Sequence, residues 1–239
     1  VGAASLAMLG LKVLRFKYIP RHSNFNSRNV GKALSRGTSI PIIIGGFTIA
    51  LGGAICLGGI PYVYLHEIFS MPKPLVALVL GSLNVISIIT SFILGWIADR
   101  KSELIALTIP LILTIAAPIT LLFKNLVSTI LGLTSLSIAF KSYVPLSRRA
   151  ITTHTIYRAR GIGGLNAAMN IGTSIGQITF GTAYDTLKPL VYSFLAIEFI
   201  TPSIVLLVMT PLSIATLMML HKHGDKVIKT ETSISHVLA

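Results

Sequence analysis

The sequence predicts an all-α membrane protein, a bundle of six spanning helices, on three observations. Only 11% of the 239 residues are charged while 53% are hydrophobic, against about 25% charged in soluble domains, and mean hydropathy is +0.81. Stretches without Lys, Arg, Asp or Glu cover 37–66, 74–98, 104–123, 161–184 and 199–220; about 20 helical residues at 1.5 Å each cross a bilayer core. Finally, the basic residues alternate between connections. Seven lie in 12–36, two in 99–103, five in 141–160 and three after His221, whereas the intervening connections hold only Lys73, Lys124 and Lys188. Cytoplasmic loops collect Lys and Arg, so both ends of the six-helix unit are expected to face the cytoplasm. The net charge of +13 is therefore a topological signal rather than a nucleic-acid footprint. Cys56 is the one cysteine, which excludes an intrachain disulfide and a thiolate metal cluster.

Taken in order, residues 1–11 are apolar and Lys12, Arg15 and Lys17 follow at once. A signal peptide has its charge first, so this segment reads as the cytoplasmic end of an earlier spanning helix, and the chain as a fragment or a literally translated alternative start. The basic, acid-free stretch 21–37 is a cytoplasmic linker, and 1–38 forms one unit with it. The bundle itself is 39–221, with a cytoplasmic tail at 222–239. The first span, 40–65, carries Gly45-Gly46, Gly52-Gly53 and Gly58-Gly59 ahead of Pro61, Tyr62 and Tyr64, a pattern that permits close helix approach and bending. The second is 75–98. The third, 104–123, has two prolines and three threonines and is expected to face lipid. The fourth, 126–150, contains Lys141; the fifth is 161–184; the sixth, 190–219, admits Glu198.

Polar residues three and four apart share a helix face. The second span aligns Asn84, Ser87, Ser91, Gly95 and Asp99; the fourth aligns Thr134, Ser137, Lys141, Pro145 and Arg148; the fifth aligns Asn166, Asn170, Thr173 and Gln177. Three such faces imply a shared polar interior, because lipid disfavours polar side chains. The hydroxyls read as interhelical hydrogen bonds, and the amides Asn84, Asn166, Asn170 and Gln177 as cavity lining. Tyr62 lines the cavity or anchors at the interface. Lys141 lies some 15 residues, or ~22 Å, into its helix; it binds an anionic substrate, pairs with a carboxylate, or snorkels to the headgroups. Glu198 is a candidate for proton coupling or for an interhelical hydrogen bond. Enzyme chemistry finds no support: the histidines lack metal-ligand spacing, no nucleophile–base constellation is visible, and Gly161-x-Gly163-Gly164 follows no strand. No cofactor is expected.

The stretch YLHEIFSMPKPLVALVLGSLNVISIITSFILGWIADRKS, 64–102, resembles the major facilitator superfamily of secondary transporters. In that family a helix ends in Gly-x-x-x-Asp-Arg, matched here by Gly95, Asp99 and Arg100. The motif is degenerate beyond that point, with Ser102 and Glu103 where Gly and further basic residues are usual. The stretch PLSRRAITTHTIYRARGIGGLNAAMNIGTSIGQITFGTAYD, 145–185, is similar to the family's junction in which a basic Arg-Gly loop leads into a Gly-, Asn- and Ser-rich helix. The resemblance implies helices seven to twelve, a 3+3 inverted repeat, and a missing N-terminal six-helix half as partner. It further implies a cell-membrane permease moving a small solute by alternating access, by ion- or proton-coupled symport or antiport. The first, second, fourth and fifth spans would then line the cavity, and Gly95, Asp99 and Arg100 would gate it. Arg148, Arg149, Arg158 and Arg160 read as topology determinants. The competing expectation is a non-transporting scaffold or truncated gene product with the same fold.

Overall fold

The computed structural model describes residues 39–57, 59–154, 158–187, 199–200 and 203–219. The linker and remnant helix at 1–38, Glu198, most of 190–202 and the tail after 219 lie outside the described residues.

Seven helices occur among the described residues: α1 (Ser39–Leu57), α2 (Ile60–Ile68), α3 (Lys73–Arg100), α4 (Glu103–Leu121), α5 (Leu126–His154) and α6 (Arg158–Leu187), then α7 (Ser203–Met219). The expectation of one continuous first span, 40–65, is corrected. α1 ends at Leu57 and α2 starts at Ile60 with a proline in its first turn, where the missing proline N–H costs nothing. Glycine before proline is a weak continuation signal, and the chain uses it to stop. Another turn, with Ser70 at φ 51°, delivers the chain into α3. There the Met71 carbonyl meets His66 Nδ1 at 2.8 Å, and prolines again open the helix. Ser102, whose backbone is extended, precedes α4, which has Glu103 in its first turn, the end where the helix dipole favours an anion.

Three helices, α1, α3 and α5, are long and apolar enough to cross a membrane; Ile105–Leu121 and Ser203–Met219 are apolar but shorter. α6 has 30 residues, yet Asn166, Asn170 and Gln177 keep its hydropathy below that of a plain span. These features fit a membrane protein. The outward faces agree with this: Ile105, Ile112 and Ile119 on α4 and Ile204, Val208 and Leu212 on α7 are exposed, at the seven- and four-residue spacings of one helical face.

Of the three long apolar helices α1 is the most enclosed and α3 the least. It packs along α6 and α5, while α5 also receives α3 and α4. Small residues make the α1–α6 seam. A Cβ on Gly172 would lie 2.5 Å from the Phe47 carbonyl oxygen, and one on Gly176 would lie 2.6 Å from the Leu51 carbonyl oxygen. Backbones that close admit only glycine, the small-xxx-small packing of membrane helices. On the other side of α1, Gly45 accommodates the Tyr143 hydroxyl and Gly53 accommodates Phe140. Tyr143 is buried and its hydroxyl donates to the Ile42 carbonyl at 2.8 Å. Gly45-Gly46 and Gly52-Gly53 are thus packing sites, as their spacing suggested, whereas a Cβ on Gly59 would meet nothing within 4 Å.

Two apolar cores result. One gathers Tyr64, Leu65, Leu133, Leu136, Phe180 and Phe199; Tyr64 stacks edge-on with Phe69, Tyr184 and Phe199. The other gathers Ile42, Leu107, Leu111, Tyr143, Ile151 and Leu165. The polar α3–α5 contact lies alongside them.

Candidate functional site

The polar stripes of α3 and α5 face each other. Ser87 is buried, and its single hydroxyl proton is shared between the Leu83 carbonyl at 2.6 Å and Ser137 Oγ at 2.8 Å. One turn on, Ser91 and Ser142 exchange a hydroxyl hydrogen bond at 3.1 Å. These are the interhelical bonds expected of the hydroxyls, each satisfying a donor that lipid could not. The fourth-span stripe is displaced by one residue here, since Ser142 rather than Lys141 meets Ser91.

Lys141 points to a different partner. Its ammonium donates to the Asn84 side-chain oxygen, so two residues 57 apart in sequence meet at the same level of the bundle. Among the described residues Lys141 has no carboxylate partner. Around it lies an open groove of about 600 Å³ lined by Ile88, Ser91, Phe92, Phe140, Val144 and Pro145. Asn84 also borders a small cavity of about 30 Å³ with Cys56, Pro61, Leu83, Leu133 and Ser137, room for about one water. The Cys56 thiol beside it donates to the Leu133 carbonyl at 3.3 Å.

A second constellation closes the Asp99 end. Arg149 of α5 donates through one terminal nitrogen to Asp99 and through Nε to Glu103 Oε1 at 2.9 Å. The Thr153 hydroxyl donates to that same oxygen at 3.3 Å. One guanidinium therefore ties the last turn of α3 to the first turn of α4, using the fork geometry that suits arginine to paired carboxylates. Arg148 turns the other way and donates to Asn166 Oδ1 of α6 at 3.1 Å. Arg100 leaves the cluster and stacks over Trp96, its guanidinium carbon 4.5 Å from the ring centre.

The remaining expected site residues are more scattered. Asn170 and Gln177 are exposed on α6, with no hydrogen-bond partner among the described residues. Tyr62 is half-buried on α2, its ring 6.4 Å from that of His66. A Cβ on Gly95 would meet nothing within 4 Å, so packing among the described residues does not require a glycine there. Glu198 lies outside the described residues. Sequence reasoning missed two members of the charged cluster. Arg149 stands one position off the α5 stripe and read as a topology determinant; Glu103 read as a departure from a motif. The signal was an acid at a helix start facing the basic end of the following helix. Tyr184, unassigned before, donates to Glu67 Oε2 at 2.9 Å across α6 and α2.

Comparison of the chain with protein families, with curated proteins and with solved structures finds no match.

Proposed function

We propose that the chain is the C-terminal six-helix half of a secondary transporter of the major facilitator type, moving a small solute by alternating access against an N-terminal six-helix half. The observation that carries this reading is Lys141, held by Asn84 in mid-helix on an open groove between two apolar helices. An ionisable side chain at that depth is costly and marks a solute path more often than a packing contact. The groove is open on one side, as half of a central cavity is before its partner closes it.

Gating falls to the Arg149 cluster. Holding Asp99 and Glu103 together keeps the ends of α3, α4 and α5 in one register. A rocking half-transporter must release or re-form such a tie at each cycle. Coupling to an ion or proton is part of the proposal, with Glu198 and Lys141 as the residues to examine.

The test is uptake into proteoliposomes by the chain joined to an N-terminal six-helix half, screened over solute classes with and without a proton gradient. Saturable uptake that slows in Arg149→Gln supports the reading. A folded complex that moves no solute class in either condition overturns it in favour of a non-transporting scaffold.

A further inference from the structure

We infer that the solute recognised in the α3–α5 groove is a soluble organic anion, one carboxylate or similar oxyanion on an apolar body; this rests on the transport reading and narrows it to a substrate class.

Lys141 is a cation with three N–H donors, of which the Asn84 oxygen takes one. With its oxygen committed to the ammonium, the Asn84 amide retains an NH₂ group with two further donors. Among the described residues neither group makes a second hydrogen bond. The site thus offers donors and one positive charge, and among the described residues it pairs with no acid. A cation or a neutral acceptor-poor solute would leave the free ammonium donors on the groove unmet, whereas a carboxylate accepts from them directly, with Asn84 holding the ammonium from behind. Charge-assisted bonds of this kind are about twice as strong as neutral ones.

Apart from Ser91, whose hydroxyl is engaged with the Ser87 carbonyl and Ser142, the rest of the groove is apolar. Ile88, Phe92, Phe140 and Val144 line it together with Pro145, and none of these offers a side-chain hydrogen bond. Its volume of about 600 Å³ is that of a small-molecule site, typically ~300–1,000 Å³. A small inorganic anion would leave these walls wet. An anion with an aryl or alkyl body fills them and brings its own charge to Lys141.

The experiment uses the full chain in nanodiscs of zwitterionic lipid and reads the thermal unfolding midpoint against ligand concentration. The probes are benzoate, 1-naphthoate and octanoate, each paired with its neutral amide, and benzylammonium as the cation. At least one carboxylate is expected to raise the midpoint in a saturable way while its amide and benzylammonium do not. Lys141→Gln is expected to weaken that apparent affinity by roughly tenfold to a hundredfold, Asn84→Ala by less, and Lys141→Arg to retain most of it. Midpoints without ligand and helical circular dichroism establish that each variant is folded. The inference is overturned if no carboxylate exceeds its amide, or if folded Lys141→Gln binds the carboxylate as well as the parent. It is also overturned if only phosphatidylglycerol added to the nanodisc stabilises the chain, which would make Lys141 a lipid-headgroup contact. Its failure is separable from that of the transport reading. Lys141-dependent carboxylate binding without any uptake removes transport alone; uptake of neutral solutes indifferent to Lys141→Gln removes the anion alone.

Discussion

The α1–α6 seam allows the same substitution to be given opposite signs on one helix. In α6, Gly172 and Gly176 lie against the α1 backbone, and a Cβ on either would come within 2.5 to 2.6 Å of a carbonyl oxygen. Gly163 and Gly181 are on the same helix with nothing within 4 Å of such a Cβ. Ordinary carbon–oxygen contact is near 3.4 Å, so alanine at Gly176 must push the two axes apart by about 0.8 Å, and its Cβ also faces that of Ala54 at 2.6 Å. Overpacking of this kind costs about 1–3 kcal/mol, while exchanging glycine for alanine inside a helix returns about 0.5–1 kcal/mol. The net for Gly176→Ala or Gly172→Ala is a loss of up to about 2.5 kcal/mol, centred slightly above ~1 kcal/mol; for Gly163→Ala or Gly181→Ala it is a gain of about 0.5–1 kcal/mol. Because the obstructing atoms are backbone rather than a flexible side chain, no rotamer change relieves the first pair. Equilibrium unfolding in mixed micelles, followed by helical circular dichroism, measures all four. The reasoning fails if Gly176→Ala is as stable as the parent, or if Gly163→Ala loses as much as Gly176→Ala.

Other expectations concern single contacts. The Arg149–Glu103 pair is expected to show a larger coupling energy than Arg149–Asp99 in double-mutant cycles. The Glu103 side chain is 13% exposed and that of Asp99 60%, and exposed pairs contribute only about 0–1 kcal/mol; raising salt should weaken the Asp99 coupling first. Tyr143→Phe removes one donor to the Ile42 carbonyl and should cost about 0.5–1.5 kcal/mol, whereas Tyr143→Ala also empties a buried site and should cost about 3–5 kcal/mol, both read as unfolding free energies. Ser87→Ala is expected to cost about 0.6 kcal/mol, the mean for interhelical hydrogen bonds in membranes, with Ser137→Ala adding little once Ser87 is gone.

Most of the local architecture was legible in the sequence. Uncharged stretches located the helices to within a few residues of α3, α4, α5 and α6, because lipid leaves a chain no other way to satisfy its backbone. Periodicity also identified which side of α3 and α5 is polar. It could not tell which residues of the two faces meet: Ser87 bonds to Ser137, Ser91 to Ser142, and Asn84 to Lys141 across the helices. The break between α1 and α2 was partly legible, since Gly58-Gly59 and Pro61 permit either a bend or a stop. For α6 the amides that mark its polar face also lower its hydropathy, so a plain span and a solute-facing helix pull the same measure in opposite directions.

By itself the sequence determined that this chain is helical, apolar enough for a membrane, and polar on one face of three helices. Those properties follow from composition and from the 3.6-residue turn, which act over a few neighbouring positions. Partners were decided only by tertiary structure. Asn84 and Lys141, Asp99 and Arg149, and Glu103 and Arg149 are 57, 50 and 46 residues apart. The choice between adjacent Arg148 and Arg149 depends on how α5 is rotated about its axis. Gly45, Gly53, Gly172 and Gly176 likewise let α1 sit close to α5 and α6, a sum of contacts along whole helices that no local pattern encodes.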